Sequence, residues 1–504
     1  MPSHKQVIIQ DKLELREVAC VARDKAHVQL SPEVKKRILS SRGYVEKIIE
    51  KNQRVYGINT GFGALSEVTI SREKLQELQH NIITSHAVGV GDPLSEDVVR
   101  AILLLKINTL SKGYSGVRLE IVEALVKMLN AGLHPVIPSK GSVGSSGDLA
   151  PLAHMSLPLV GLGEVEYQGK RLSGKEALVI VGLSPFKLQA KEGLALINGT
   201  QVTNAIAFLA LLDAEILAKT ADLSAALSFE ALCANREVFD KDIQRLKPYK
   251  GQADCAENMR KLLGTVTKKR VRLQDAYSLR AVPQVHGAVR EALAFVRGVV
   301  EIETNAVTDN PLIFSEKKVV SGGNFHGETL AMACDLLAIA VAELANIAER
   351  RINRLIDKNI SGLPAFLINN PGLNSGFMIP QYTAAALVSE NKILAHPASV
   401  DSIPTSAQQE DHVSMATIAA RKAEEIIFNA QHVISIELLC AAQGVDLGKA
   451  ELTQATKKIK AEVRKRAAFL ESDRLMIKDM QGVFESVQSG SLLSAVEKEI
   501  GALK

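Results

Sequence analysis

Apolar residues recur at helical spacing over long stretches of the chain. Between residues 326 and 357 they form one stripe with alternating steps of four and three. The members of this stripe are Leu330, Cys334, Leu337, Val341, Leu344 and Ala348. Similar patterns run over 202–229, 379–396 and 413–443, whereas strand-like runs are short, as in VEYQGKRL near 165 and LIFSEKKVV near 312. The pattern predicts a mostly α-helical fold built on a bundle of long central helices.

The distribution of glycine and charge predicts three regions without a linker between them. We expect a loop-rich, glycine-rich region over 1–200, a long-helix bundle over 201–447 and a charged helical tail over 448–504. The uncharged stretch 193–212 is long enough to span a bilayer. It contains polar side chains such as Asn198 and Asn204, which hydrocarbon would penalise. We therefore interpret it as the buried centre of a protein that does not enter a membrane.

Composition places the chain among ordinary globular proteins. Of its 504 residues, 46% are hydrophobic and 23% are charged, and the net charge is +4. No dense basic tract is present, so we expect no nucleic-acid partner and no membrane-surface partner. The short basic run at 268–270 is predicted to be solvated surface.

Cysteine and histidine usage bounds the location and the metal chemistry. The five cysteines, at 20, 233, 255, 334 and 440, include no Cys-x-x-Cys, which favours reduced thiols in the cytoplasm. The N-terminal sequence MPSHKQVIIQDKLELREV has no apolar leader segment. The eleven histidines include no His-x-x-x-His pair, so we expect no metal site.

Six clusters of small and polar residues interrupt the apolar pattern. They are YGINTGFG at 56–63, GSVGSSGDLAPLAH at 141–154, LALINGTQ at 194–201, SGGNFHGE at 321–328, NSGFMIPQ at 374–381 and TSAQQEDHVSM at 405–415. Any one of them could be a helix cap or a turn. Buried polar groups cost free energy unless they are partnered, and bundles assemble their sites from such groups at helix ends. The six clusters together indicate a polar site.

The combined motifs resemble the aromatic amino acid ammonia-lyases, and within them the members that act on histidine. The resemblance covers nearly the whole chain, from VYGINTGFG to the helix after QEDHVSM. It implies that L-histidine is converted to trans-urocanate and ammonia, as the first step of histidine degradation. It also implies a homotetramer with active sites shared between subunits, so that Tyr56, Arg280 and Phe325 would come from different chains.

The resemblance further implies a prosthetic group made from the chain itself, with no external cofactor. In the family an Ala-Ser-Gly triad cyclises when the glycine nitrogen attacks the alanine carbonyl and water leaves. The serine then dehydrates to give methylidene-imidazolone (MIO), an electrophile. The matching residues here are Ser145, Ser146 and Gly147. Ser145 departs from the family's alanine, but its side chain stays outside the ring, so we expect cyclisation to survive.

Tyr56 matches the catalytic base of the family. A phenol has a reference pKa of about 10, which must fall toward neutrality for the group to act as a base. We expect nearby cations and dipoles to lower the pKa of Tyr56.

Five further residues match positions of the family's active site. Arg280 would bind the substrate carboxylate, because its planar guanidinium suits a bidentate contact. Tyr277 is implied to be catalytic and Gln274 to bind substrate. Asn198 would hydrogen-bond the prosthetic group or assist its formation, and Phe325 would pack beside it.

Two positions bear on the choice of substrate. The pair Ser85-His86 matches the histidine-specific members, with His86 in the substrate site. Glu410 matches the acid that faces the imidazole, where it would have both a binding and a catalytic role. A phenyl ring in place of the imidazole would leave this carboxylate desolvated and unpaired.

Two alternatives to a histidine-specific lyase stay open at this point. One is a related MIO-dependent ammonia-lyase or 2,3-aminomutase acting on another amino acid. The other is an inactive homologue that binds imidazole ligands, if Ser145 prevents cyclisation.

Overall fold

Helices dominate the computed structural model, which describes residues 6–264, 272–448 and 450–504. The basic run at 268–270 lies outside the described residues. In the first half of the chain the helices are α1 (Leu15–Ala22), α2 (Pro32–Glu50), α3 (Leu75–His86), α4 (Glu96–Ser111), α5 (Leu119–Ala131), α6 (Ala150–Ser156), α7 (Gly174–Ile180), α8 (Glu192–Ile197) and α9 (Gln201–Ala231). After α9 come α10 (Lys241–Leu246), α11 (Lys250–Leu263), α12 (Tyr277–Arg280), α13 (Val282–Asn305), α14 (Glu328–Ile356), α15 (Lys358–Ser361), α16 (Met378–Leu394), α17 (Ala416–Gly448), α18 (Gln454–Arg464), α19 (Ile477–Gln488) and α20 (Ser491–Ile500). The prediction of a mostly α-helical fold is confirmed.

The four predicted long helices correspond to α9, α14, α16 and α17. In α14 every member of the predicted apolar stripe is at most 1% exposed. The pattern did not predict α13, although Val282, Val289, Leu293, Val296 and Val300 are buried along it at steps of seven, four, three and four. The stripe was overlooked because a histidine, His286, fills the missing position between the first two valines.

Short strands tie the loops of the chain together. Strand β1 (Gln6–Ile9) pairs in parallel with β2 (His27–Leu30). Strand β3 (Val90–Pro93) pairs antiparallel with β5 (Pro138–Lys140), and β4 (His134–Pro135) joins the hairpin of β6 (Glu164–Tyr167) and β7 (Lys170–Ser173). Strand β8 (Leu312–Ser315) pairs with β9 (Lys318–Val320). The two predicted strand-like runs are thus hairpins, and the β3–β5 pair brings the segment after α3 beside the start of GSVGSSGDLAPLAH.

The chain forms two compact units, each assembled from segments that are distant in sequence. The first unit contains Met1–Leu209, Gly298–Cys334 and Pro397–Arg421, and the second contains Ala210–Arg297, Asp335–His396 and Lys422–Lys504. This grouping differs from the division at 200 and 447 that the sequence predicts, because α9, α14 and α17 each contribute residues to both units. The charged tail is not a separate region, since α18 packs against α11 and α20 within the second unit.

In the described part of the chain, three helices, α9, α14 and α17, are long and apolar enough to cross a membrane by length and composition alone. In the folded chain, 78%, 72% and 83% of their most apolar windows are buried by other parts of the protein. Residues 193–211 are buried throughout, as the interpretation of this stretch as a buried centre requires.

A buried ion pair holds the helices of the second unit. Arg351 on α14 and Glu437 on α17 are both fully buried, and the guanidinium contacts both carboxylate oxygens at 2.5 and 2.8 Å. The hydroxyls of Ser224 and Ser228 on α9 donate to the same two oxygens at 2.8 and 2.7 Å. Each charge therefore has the partners that make its burial tolerable.

Replacing Arg351 tests this ion pair. Arg351→Met leaves the Glu437 carboxylate buried without a cation, so we expect the free energy of unfolding to fall by about 3–5 kcal/mol in urea denaturation. The control is Arg171→Met, because Arg171 pairs with Glu164 where both side chains are more than half exposed. An equal loss in the two variants would contradict a special role for the buried pair.

Candidate active site

The segment GSVGSSGDLAPLAH forms a tight turn between β5 and α6. Gly144 and Gly147 have φ values of +69° and +75°, a region that side chains other than glycine rarely adopt. A Cβ atom at position 147 would lie 2.2 Å from the carbonyl oxygen of Gly199, and that same oxygen accepts a hydrogen bond from the Asp148 amide at 2.7 Å. Two backbones therefore meet here at a distance that only glycine permits.

Two predicted site residues hold Ser146. Its hydroxyl donates to Glu410 Oε1 at 2.7 Å, and its carbonyl accepts from Asn198 Nδ2 at 2.7 Å. The neighbouring Ser145 is 5% exposed and belongs to the buried side of the turn. Of the two adjacent serines, Ser146 is thus the one whose hydroxyl meets an acid.

The segment after Glu410 fixes the first half of the turn. Ser414 Oγ donates to the Gly144 carbonyl at 2.9 Å, and the Met415 amide donates to the Val143 carbonyl at 2.8 Å. The clusters at 141–154 and 405–415 are therefore joined directly by hydrogen bonds.

Asp148 fixes the second half of the turn at the N-terminus of α9. Its buried carboxylate accepts from the amides of Val202 and Thr203 at 2.7 and 3.0 Å, and from the hydroxyls of Thr203 and Thr417 at 2.5 and 3.1 Å. Burial raises the pKa of Asp148, and these hydrogen bonds oppose the rise. A helix N-terminus favours a negative charge, so the contact anchors the turn to the helix.

Glu410 has a second partner besides Ser146. Thr405 Oγ1 donates to Glu410 Oε2 at 2.6 Å, and the two residues also exchange backbone hydrogen bonds. Thr405 lies in the cluster TSAQQEDHVSM but was not among the predicted site residues. Its contact orients the carboxylate.

Tyr56 lies in the same region, but its pKa does not behave as predicted. The phenol oxygen accepts a hydrogen bond from the Gly63 amide at 3.4 Å. Burial, with a smaller contribution from the charge of Glu410, raises the pKa of Tyr56 above its usual value. The expectation that nearby cations and dipoles lower this pKa is wrong for the single chain, because burial outweighs the hydrogen bond from the Gly63 amide.

His86 ends α3, and Ser85 Oγ lies 3.0 Å from its Nδ1 atom. Burial lowers the pKa of His86, while a hydrogen bond with the backbone of Ile82 and the charge of Glu410 oppose this effect. Burial therefore favours the neutral form of this imidazole.

These residues share one cavity of about 440 Å³ within the first unit. The predicted residues that line it are Tyr56, His86, Ser146, Asn198, Phe325 and Glu410. Phe325 and Tyr56 lie in the cavity of a single chain, which differs from the implied origin of these two residues in different chains. The cavity also contains Asn310, which the sequence analysis missed although the polar run Asp309-Asn310-Pro311 precedes β8.

Gln274, Tyr277 and Arg280 do not line this cavity. They lie in the second unit, where Tyr277 is 75% exposed and Gln274 is also exposed. The Arg280 guanidinium stacks over the Tyr277 ring at 5.0 Å. These three residues are thus close together in the chain and are not among the residues that line the cavity.

Within the described residues, two groups of side chains have a geometry that could hold a metal ion. Asp222, Cys255 and His286 form a buried group, but Arg290 already donates to the Asp222 carboxylate at 2.7 Å. The second group is His326, Glu328 and His412. Neither group includes a residue that lines the cavity, and we assign no metal to either.

The chain matches the aromatic amino acid lyase family over residues 13–465. The chain belongs to this family. The resemblance inferred from the motifs is confirmed, and members of the family are enzymes of the MIO type.

Relatives and solved structures agree with this assignment over almost the full length. The chain is 53% identical to the histidine ammonia-lyase of Alkaliphilus oremlandii, with 98% of this chain and 99% of the relative covered. The crystal structure of histidine ammonia-lyase from Trypanosoma cruzi is 44% identical with a TM-score of 0.92, covering 98% of this chain and 96% of that one. Tyrosine aminomutase from Streptomyces globisporus is 37% identical with a TM-score of 0.94, covering 99% and 100%.

The site of this lyase-family chain fits the prosthetic group of the family. Gly147 lies against Gly199 with no room for a side chain, so the residue whose nitrogen closes the ring in this family is a glycine that the structure requires. Asn198 Oδ1 is buried and has no hydrogen-bond partner, which leaves an acceptor available beside Ser146. The fit concerns residues 145–147 and their immediate neighbours.

The titration of His86 tests the electrostatics of the cavity. We expect an NMR titration of protein labelled with ¹³C-histidine to give His86 a pKa below the usual 6.5, because burial disfavours the imidazolium. His86→Gln identifies the signal. Since the unfolded chain takes up this proton at the higher pH, the free energy of unfolding should fall as the pH drops through 6.5, and less so in His86→Gln. A midpoint above 6.5 would mean that Glu410 outweighs burial.

Proposed function

We propose that this protein is a histidine ammonia-lyase, which converts L-histidine to trans-urocanate and ammonia in the first step of histidine degradation. The observation that carries the proposal is the position of Ser146 between Glu410 and Asn198, in a cavity that also contains His86. Relatives named histidine ammonia-lyase, such as that of Alkaliphilus oremlandii at 53% identity, support the substrate.

The prosthetic group of this enzyme would form from Ser145, Ser146 and Gly147 without an external cofactor. It would supply an electrophile that withdraws electron density from the substrate, which ordinary side chains cannot do. The Asn198 side chain donates a hydrogen bond to the carbonyl of residue 146. After Gly147, the Asp148 amide donates a hydrogen bond to the Gly199 carbonyl. Ser145 contributes only its backbone to a ring of this kind, so its hydroxyl does not prevent ring closure.

Glu410 and His86 would recognise the imidazole of the substrate. The Glu410 carboxylate can accept an imidazole N–H, and Thr405 keeps it oriented toward the cavity. A phenyl ring would leave the carboxylate desolvated and unpaired, which costs about 1–3 kcal/mol or more. Selection for histidine over phenylalanine follows from this difference.

Tyr56 would remove the β-proton of the substrate at its phenol oxygen. Its raised pKa in the single chain means that an additional cation must stabilise the phenolate. We propose that Arg280 supplies this charge from another subunit and also binds the substrate carboxylate, with Gln274 and Tyr277 beside it. The exposure of Tyr277 and the absence of all three residues from the cavity support a homotetramer with shared sites.

A second candidate is a 2,3-aminomutase, which would retain the ammonia and return it to the neighbouring carbon. The similarity to tyrosine aminomutase supports this candidate at the level of the fold. The acid at position 410 and His86 match the histidine-specific lyases and favour the first proposal. We further propose a cytoplasmic location, which the five scattered cysteines without a Cys-x-x-Cys motif favour.

Replacing Ser146 tests the proposed reaction. Wild-type protein with L-histidine should release urocanate, and its intact mass should be lower by two water molecules than the sequence encodes. Ser146→Ala cannot lose the serine hydroxyl, so we expect it to lack the second dehydration and to lose activity by a factor of at least about 10³, the scale of removing an essential catalytic group.

The matched control is Ser145→Ala, which restores the alanine of the family pattern. It should lose both water molecules and keep the activity of the wild type. Full encoded mass in the wild-type protein, with no urocanate, would reject the lyase and favour an inactive imidazole-binding homologue. Loss of both water molecules without turnover of L-histidine would indicate that the substrate is another amino acid.

A further inference from the structure

Lys106 is a fully buried lysine directly behind the proposed site. It lies on α4, and its side chain has no exposed surface. Its ammonium donates to the carbonyl of Asn198 at 2.7 Å and to the carbonyl of Ala195 at 3.1 Å. The same Asn198 donates from its side chain to the carbonyl of Ser146. One chain of hydrogen bonds thus runs from Lys106 to the serine turn.

The burial of this ammonium is costly and needs a reason. Removing a charged lysine from water is unfavourable unless strong partners replace the water. Burial lowers the pKa of Lys106 to about 7, while the charges of Asp309 and Asp148 oppose the decrease. Lys191, which is also fully buried, has a carboxylate partner, because it contacts Asp309 at 2.7 Å. Lys106 instead donates its hydrogen bonds to two backbone carbonyls.

Those carbonyls belong to the end of α8. The last carbonyls of a helix have no partner within the helix, and a cation is favourable at this end. Asn198 is the C-cap of α8 and leaves the helix with φ −85° and ψ 138°. Its Oδ1 atom is buried without a partner. The side chain is therefore held by one hydrogen bond, from its Nδ2 atom to the carbonyl of Ser146. The orientation of the Asn198 amide therefore depends on the backbone that Lys106 fixes.

We propose that Lys106 is a positioning residue that holds the backbone of Asn198, so that the Asn198 amide stays on the Ser146 carbonyl during formation and use of the prosthetic group. The inference rests on the proposed function, because it assigns Lys106 a part in processing residues 145–147. A lysine that only stabilised the core would affect the unfolding temperature and leave the processing unchanged.

The test is Lys106→Met in the full-length protein, with intact mass as the readout that does not depend on turnover. Methionine fills similar space but donates no hydrogen bond, so most chains should retain one or both of the water molecules that the wild type loses. In the processed fraction we expect kcat to fall by roughly 10–100-fold with little change in KM, because a displaced contact beside the reacting group impairs geometry more than binding. Lys106→Arg, which keeps the charge and the donors, should recover processing.

The matched control is Asn108→Ala on the same helix. Asn108 is also fully buried, and its Nδ2 atom donates to the carbonyl of Thr304, away from Asn198. This variant should lose both water molecules and keep the kcat of the wild type, although it removes a buried donor. If Lys106→Met does not fold, Lys106→Gln replaces it and should be processed more slowly than the wild type.

The outcomes separate this inference from the function on which it rests. Complete loss of both waters and wild-type kcat in the folded Lys106 variant would overturn the positioning role while leaving the lyase intact. Incomplete processing in Asn108→Ala to the same extent would also overturn it, because the effect would then belong to α4 as a whole. Full encoded mass in the wild type would reject the proposed function, and the inference with it.

Discussion

The contact between the backbones of Gly147 and Gly199 is the constraint on which the site depends. A side-chain carbon at position 147 would lie 2.2 Å from the Gly199 carbonyl oxygen. The two backbone segments are therefore too close for any residue other than glycine at position 147. This approach joins two loops that are about 50 residues apart in sequence. It brings the end of α8 and the start of α9 to the serine turn, and Asn198 and Asp148 take their positions from it.

Around this contact, three charged side chains have hydrogen-bond partners in the neighbouring segments. Asp148 is satisfied by the N-terminus of α9, Lys106 by the last carbonyls of α8, and Glu410 by Thr405 and Ser146. A network of this kind is stable when it is complete and costly when one member is removed. The same network binds both the carbonyl and the hydroxyl of Ser146. The hydrogen bonds that make the core rigid therefore also orient the reactive serine.

Much of the fold and part of the site could be predicted from the sequence. The stripe of α14 was visible because its apolar residues repeat without interruption, whereas α13 was missed because His286 occupies a position on its buried face. The motifs placed Tyr56, Asn198 and Glu410 in one site, and all three residues line a single cavity. The raised pKa of Tyr56 depends on burial, which no local pattern encodes. The two units were likewise unpredictable from local sequence, because long helices pass through both.

The most direct test of the account follows L-histidine and its products by NMR during incubation with the purified protein. An elimination at a carboxylate-lined imidazole site predicts trans-urocanate and ammonia in equal amounts, with no β-amino acid. A β-amino acid in place of free ammonia would contradict the lyase and identify an aminomutase. Unchanged L-histidine, in the presence of protein that has lost both water molecules, would contradict the assignment of Glu410 as the group that selects the imidazole.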